Sequence, residues 1–198
     1  MARPTYAEAL ALNDPLKLLA SLVSGSTPDG TAFGGPTVVT GSLAGDTTPA
    51  IAAAGDYADN DILSNSASAG GAWLFPDMAG VDGGAGEIVG AILTCSVAAL
   101  ASTFRLWLFD ANPSASSLND NAAFSLHASD QDKLIQTIDF VTTASLGGVG
   151  GSITATLSKP YTCAAADTDL YGILQATDAI TNESAGMIVI VKLLVKRG

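Results

Sequence analysis

Catalysis needs a nucleophile with a base, or a set of metal ligands, and this chain supplies little of either. It has one histidine, His127, so a serine hydrolase would have to use that residue as its base. His127 sits in a Ser- and Asp-rich stretch without the G-x-S-x-G pattern that presents a nucleophile. Oxygen ligands crowd together at Asp56, Asp59 and Asp61, at Asp130 and Asp132, and at the pair Asp167 and Asp169. Calcium takes such groups, but the EF-hand order with its central glycine and closing glutamate is missing. Turn carboxylates account for all three clusters. The run Gly147 to Gly151 lacks the Lys-Ser/Thr of a phosphate-binding loop, and the residues after it read as strand. Cys95 and Cys163 have no neighbouring histidine with which to hold zinc. Each lies in an apolar stretch, where a free thiol is an ordinary small core residue. A bridge between them stays open, because spacing along the chain does not give a Cα separation. The expectation is a non-enzyme with no cofactor and no metal site.

What remains is surface chemistry. Arg105, Trp107 and Phe109 alternate with Phe104, Leu106 and Leu108, so one short strand carries two different faces. The second set is purely apolar and belongs in a core. The first carries a cation and two aromatics, and Arg and Trp are enriched among interface anchors. Leu16, Leu19 and Val23 form a second candidate contact, a stripe at helical spacing. Tyr57, Trp73, Tyr161 and Tyr171 are candidates to stack on sugar rings, which supports a rival reading as a carbohydrate- or receptor-binding module of a fibre or tail.

The elements that must position these residues are mostly strands. One helical region is expected over residues 5–23. Thr5 and Glu8 fit a capping box, Asn13-Asp14-Pro15 offers a second start, and Ser24-Gly25 ends it. Ser26 to Gly71 reads as an extended connection draped over a surface, with weak strands at 37–40 and 61–63, because a free loop of that length is unusual. Residues 1–36 are therefore expected to form an arm and 37–198 a β domain. Strong alternation follows over 87–97, 104–109, 134–141, 152–158, 170–177 and 187–195. Leu134, Ile138 and Phe140 are expected on one face, and Lys159-Pro160 is expected to stop its strand. Met187, Val189, Val191, Leu193 and Val195 oppose Ile188, Ile190, Lys192 and Leu194, so both faces of the last strand are apolar. Such a strand is central, or is covered by a partner. The βα alternation of a parallel sheet is missing. The fold class is all-β, an antiparallel sandwich.

Charge narrows the partners. The chain carries a net charge of −11 with only 8 Lys+Arg. That is no footprint for nucleic acid or for an anionic membrane. Glu8, Asp14 and Lys17 interrupt any signal-peptide core. The uncharged run Ile88 to Phe104 is near the minimum length to cross a bilayer, but its Thr94, Ser96, Ser102 and Thr103 favour two adjoining strands.

The residues from Glu87 onward resemble a group of tailed-bacteriophage virion proteins of the head decoration or cement type. The resemblance is carried by Phe104 to Pro113 (FRLWLFDANP), Asp120 to Phe124 (DNAAF), Ser129 to Asp132 leading into Ile135 to Phe140, Leu170 to Gln175 (LYGILQ) and the apolar final strand. It implies a jelly-roll-like sandwich that self-associates, as a trimer in preference to a dimer, on the outer surface of the capsid. Its partners there would be the major capsid protein and further copies of itself.

Overall fold

The computed structural model describes residues 35–52, 56–97, 102–141, 144–145, 148–181 and 186–198, with the backbone alone at 144–145 and 152–156. The helical segment expected over 5–23, with Leu16, Leu19 and Val23, lies outside the described residues. One compact unit runs from Pro36 to Gly198.

Its strands are β1 (Thr37–Thr40), β2 (Ile62–Leu63), β3 (Trp73–Phe75), β4 (Ala85–Cys95), β5 (Phe104–Phe109), β6 (Leu134–Phe140), β7 (Ala144–Ser145), β8 (Gly150–Thr162), β9 (Leu170–Ala176) and β10 (Val189–Arg197). All pair antiparallel. The first sheet has the order β1-β10-β4-β8-β7. The second has the order β2-β9-β5-β6, with β3 following β2 along the same edge of β9. Because each strand alternates, one face of each sheet is apolar, and the two apolar faces meet. A single cluster joins Ile88, Leu93, Val191, Leu193 and Val195 of the first sheet to Phe75, Phe104, Leu106, Phe140 and Leu174 of the second. Each such side chain contributes about 1.5–3 kcal/mol when fully buried. The unit from Pro36 onward is thus an all-β antiparallel sandwich, and the uncharged run near residue 88 is split between β4 and β5. Among the described residues no helix is long and apolar enough to cross a membrane.

Three expectations are corrected. The connection before β3 is not merely draped over a surface: Leu43, Ile51, Tyr57, Ile62 and Leu63 are buried, and Ala50 and Tyr57 bridge to Ile188 and Ile180. Pro160 does not stop its strand, since β8 continues through it opposite Glu87. In a strand the N–H and C=O of one residue point to the same edge. The Pro160 carbonyl accepts from Gln136 Nε2 at 3.4 Å, so its missing N–H also faces away from β4, where proline is tolerated. Finally, Leu134 does not share a face with Ile138 and Phe140. A register shift between Leu108 and Phe109 makes Ile135 the extra residue, and Leu134 turns to the outside of the second sheet.

Candidate interaction surfaces

The outer face of the second sheet is covered by its own chain. The segment from Asp110 to Lys133 folds back over β5 and β9, and two buried carboxylates hold it there. Asp130, with no exposed surface, accepts from the Ala115 N–H (3.0 Å), the Ser116 hydroxyl (2.8 Å) and Lys133 Nζ (2.7 Å). Burial alone would raise its pKa, but the bonds from Lys133 and Ser116 outweigh that and hold the carboxyl below its usual value. Asp120 accepts from the Tyr57 hydroxyl (2.9 and 3.0 Å) and the Ser64 N–H (2.7 Å). The Phe124 N–H donates to Asn60 O at 2.8 Å and the Asn121 N–H to Ile62 O at 2.9 Å, so the segment also pairs along β2.

Beneath this cap lie the residues expected to anchor an interface. Leu118, Phe124 and Leu126 pack with Trp107, Phe109, Leu134, Ile173 and Tyr171 in a second apolar cluster. Phe109 is fully buried within its own chain and has no surface to offer a partner. Trp107 stacks on Phe124, centroids 4.7 Å apart, and its Nε1 donates to Gln175 Oε1 at 2.8 Å. Trp107 is half-buried, and Arg105 is the most exposed of the three. Its side chain is 37% exposed, yet it lies over the Trp107 ring at 5.6 Å and forks onto Asp139 at 2.6 and 3.2 Å. The structure brings the three residues together as the floor of an intrachain cap. The sequence signal for this was present but unperiodic: three apolar residues scattered through an otherwise polar loop.

The outer face of the first sheet is different. Register puts Val38 beside Leu194, Leu194 beside Gly90, and Lys192 between Thr40 and Ile92. Val38 is 56% exposed and Ile188 39%, while Ile92, Ile190 and Leu194 are half-buried. Lys192 and Lys196 flank Leu194 on this face, and neither forms an ion pair among the described residues. This is an apolar surface with two cations set in it, one of them, Lys196, across the register from Glu87.

A cleft of about 340 Å³ opens at one end of the second sheet, past the edge of the cap. Leu74 of β3 and Tyr171 of β9 are register neighbours there, with Asn65, Gly71, Asn112 and Asp169 around them. The Tyr171 hydroxyl donates to Asp167 at 3.1 Å, and burial followed by that bond raises its pKa. The other aromatics considered for sugar stacking, Tyr57, Trp73 and Tyr161, are buried.

The reactive side chains have structural explanations. His127 Nδ1 lies 2.7 Å from Ser129 Oγ, but it also accepts from the Ser129 N–H at 3.2 Å, which is a cap on the short 3-10 turn Ala128–Asp130. Cys95 and Cys163 are buried free thiols. Burial pushes both up, Cys163 to about 11 with Asp167 and Asp169 adding to the effect. Among the described residues no three His, Cys, Asp or Glu side chains are grouped to hold a metal ion.

No protein-family model matches this chain, and no curated protein matches it.

Proposed function

We propose that this chain is a non-enzymatic structural subunit of a tailed-bacteriophage head. It is a decoration protein that forms a small homo-oligomer on the outer capsid surface and bridges neighbouring major capsid subunits. The observation that carries the reading is the outer face of the first sheet, where Val38, Ile188, Ile190 and Leu194 form an apolar surface that no described residue covers. A soluble monomer seldom exposes a contiguous apolar patch of this kind. The function follows mechanically: area buried between copies and against the shell resists outward pressure, and no bond is made or broken.

The strand order supports a jelly-roll reading. Counting β2 and β3 as one position along β9, and β7 as an extension beside β8, leaves eight positions. Their orders are first-eighth-third-sixth and second-seventh-fourth-fifth. Two interleaved Greek keys of this kind recur in capsid and lectin domains. The sequence resemblance to head decoration proteins points the same way.

Charge favours a ring over a two-fold dimer. A two-fold contact packs a surface on itself, which would bring Lys192 and Lys196 near their own copies. A head-to-tail contact instead sets them against the acidic remainder of a chain whose net charge is −11. Any closed ring satisfies every copy in this way, and a trimer is the smallest.

The test is the mass of the full chain in solution, by native mass spectrometry and sedimentation, together with co-sedimentation on capsid shells that lack it. The expected results are a trimer and saturable shell binding, both lost in Ile190→Glu/Leu194→Glu while the circular dichroism spectrum is kept. A monomer that ignores shells, or a double variant that still assembles, sinks the proposal.

A further inference from the structure

The cleft on the outer face of the second sheet carries a reading independent of any capsid role. We infer that it is a binding site for a neutral pyranose, a hexose unit of a glycan. Its floor is apolar: the Leu74 side chain beside the partly exposed ring of Tyr171. An aromatic face with an aliphatic neighbour suits the C–H side of a sugar ring. Its rim is polar and still has capacity. Asp169 Oδ1 accepts from the Asp77 N–H at 2.8 Å and the Thr168 hydroxyl at 3.1 Å, whereas Oδ2 has no partner among the described residues. The Asn112 side-chain amide likewise makes no hydrogen bond among them, and Asn65 gives only its oxygen, to the Ser64 hydroxyl at 3.4 Å. One carboxylate oxygen and two amides around an apolar floor match vicinal hydroxyls, each of which both donates and accepts.

The walls are built in advance. Ala44 and Gly45 have φ of 51° and 84°, and Leu43 and Asp46 exchange both backbone bonds at 3.0 Å, a tight two-residue turn. Between the lining residues Ala69 and Gly71, a Cβ at Gly70 would clash with the Leu118 carbonyl oxygen, so this stretch lies hard against the cap. Packing in the second apolar cluster holds the Tyr171 ring, and its hydroxyl adds a bond to Asp167. A preformed site loses little on ordering, which is what weak single-sugar binding requires. Asp77, Asp167 and Asp169 make the surroundings acidic, which selects against sialic and uronic acids.

The test is an amide chemical-shift titration of the full-length protein. The probes are the methyl glycosides of glucose, galactose, mannose and N-acetylglucosamine, with sialic acid as the anionic probe. At least one neutral sugar should move Gly45, Gly71, Ala72 and Tyr171 in the millimolar range, and sialic acid should bind at least about tenfold more weakly. Asn65→Ala/Asn112→Ala should weaken binding about tenfold or more, the loss of one or two hydrogen bonds. Tyr171→Phe, which keeps the ring, should stay within about threefold of the unsubstituted chain. Silence with all four neutral sugars overturns the inference. So does equal binding of sialic acid, or a shift pattern that survives the double substitution.

Discussion

Replacing Trp107 with alanine separates two accounts of the same face. If the Asp110–Lys133 segment caps β5 in solution, the indole belongs to the interior, and its loss is a stability defect. The indole stacks on Phe124 at 4.7 Å, a contact of about 0.5–1.5 kcal/mol beyond its burial. Its Nε1 bonds Gln175 Oε1 at 2.8 Å, and Gln175 is only 3% exposed. Removing the donor strands a buried oxygen at a cost of about 1–3 kcal/mol. Adding the lost apolar area, and discounting for an indole that is only partly buried, gives a total of about 3 kcal/mol, near the low end for an aromatic truncated to alanine.

In a urea titration followed by circular dichroism, with an m of about 2 kcal/mol/M, the midpoint should fall by about 1.5 M. Trp107→Phe keeps a ring on Phe124 and should recover roughly half of that. Arg105→Ala should cost under about 1 kcal/mol, because an exposed ion pair and a solvated cation–π contact are each weak. The reasoning is refuted if Trp107→Ala unfolds within about 0.5 kcal/mol of the parent and loses self-association instead. That result would mean the cap is open in solution and Trp107 faces a partner.

Asp130→Asn should loosen the cap. The Asp130 pKa is depressed in the folded state, so its contribution is present above the ordinary carboxylate value of 3.8 and is lost as pH falls through the lower folded value. The gap in melting temperature between parent and variant should therefore be full at pH 7 and shrink below pH 4; a gap that grows on acidification contradicts the assignment. Native protein should resist a thiol reagent at pH 8, because burial holds Cys163 at about 11 and raises Cys95 too. Rapid labelling of either before unfolding would show that the inner edge of the sandwich is accessible. Lys192→Glu should leave melting unchanged and weaken oligomerisation by about tenfold or more, a loss that salt reduces. An unaltered mass distribution would remove that lysine from the contact.

The strands were legible because their signal is local. Period-two alternation fixes which side of a strand meets a core, and 104–109 and 170–176 needed nothing else. The final strand, apolar on both faces, reads as central or as covered by a partner, and β10 lies between β1 and β4. What was illegible depended on partners distant in sequence. Asp120 reads as a loop carboxylate until Tyr57, sixty-three residues earlier, donates to it. Pro160 reads as a stop until its carbonyl is found facing the open edge. Leu134 reads as core until a single extra residue flips it. The Arg105, Trp107 and Phe109 face reads as an interface anchor, but alternation cannot say whether a neighbour or the same chain supplies the cover.

The two outer faces of the sandwich solve that covering problem in opposite ways. On the second sheet the chain spends some twenty residues on a cap, and it buries two carboxylates to hold that cap. Burying a carboxylate is costly unless it is hydrogen-bonded, and here every oxygen of both has a donor within 3.0 Å, so the cover is built to stay. On the first sheet no described segment provides a counterpart, although β10 and β1 present Val38, Ile190 and Leu194 outward. The charges follow the same division. Arg105 and Lys133 are matched internally by Asp139 and Asp130, while Lys192 and Lys196 stand on the first sheet's outer face, Lys196 across the register from Glu87. On a chain of net charge −11 this concentrates attraction in one place and leaves repulsion elsewhere. A surface with apolar area and the minority charge at the same spot binds an acidic, apolar partner there and discourages contact at other points. Among the described residues the outer face of the first sheet is the apolar face without a cap, and the proposed assembly rests on that face.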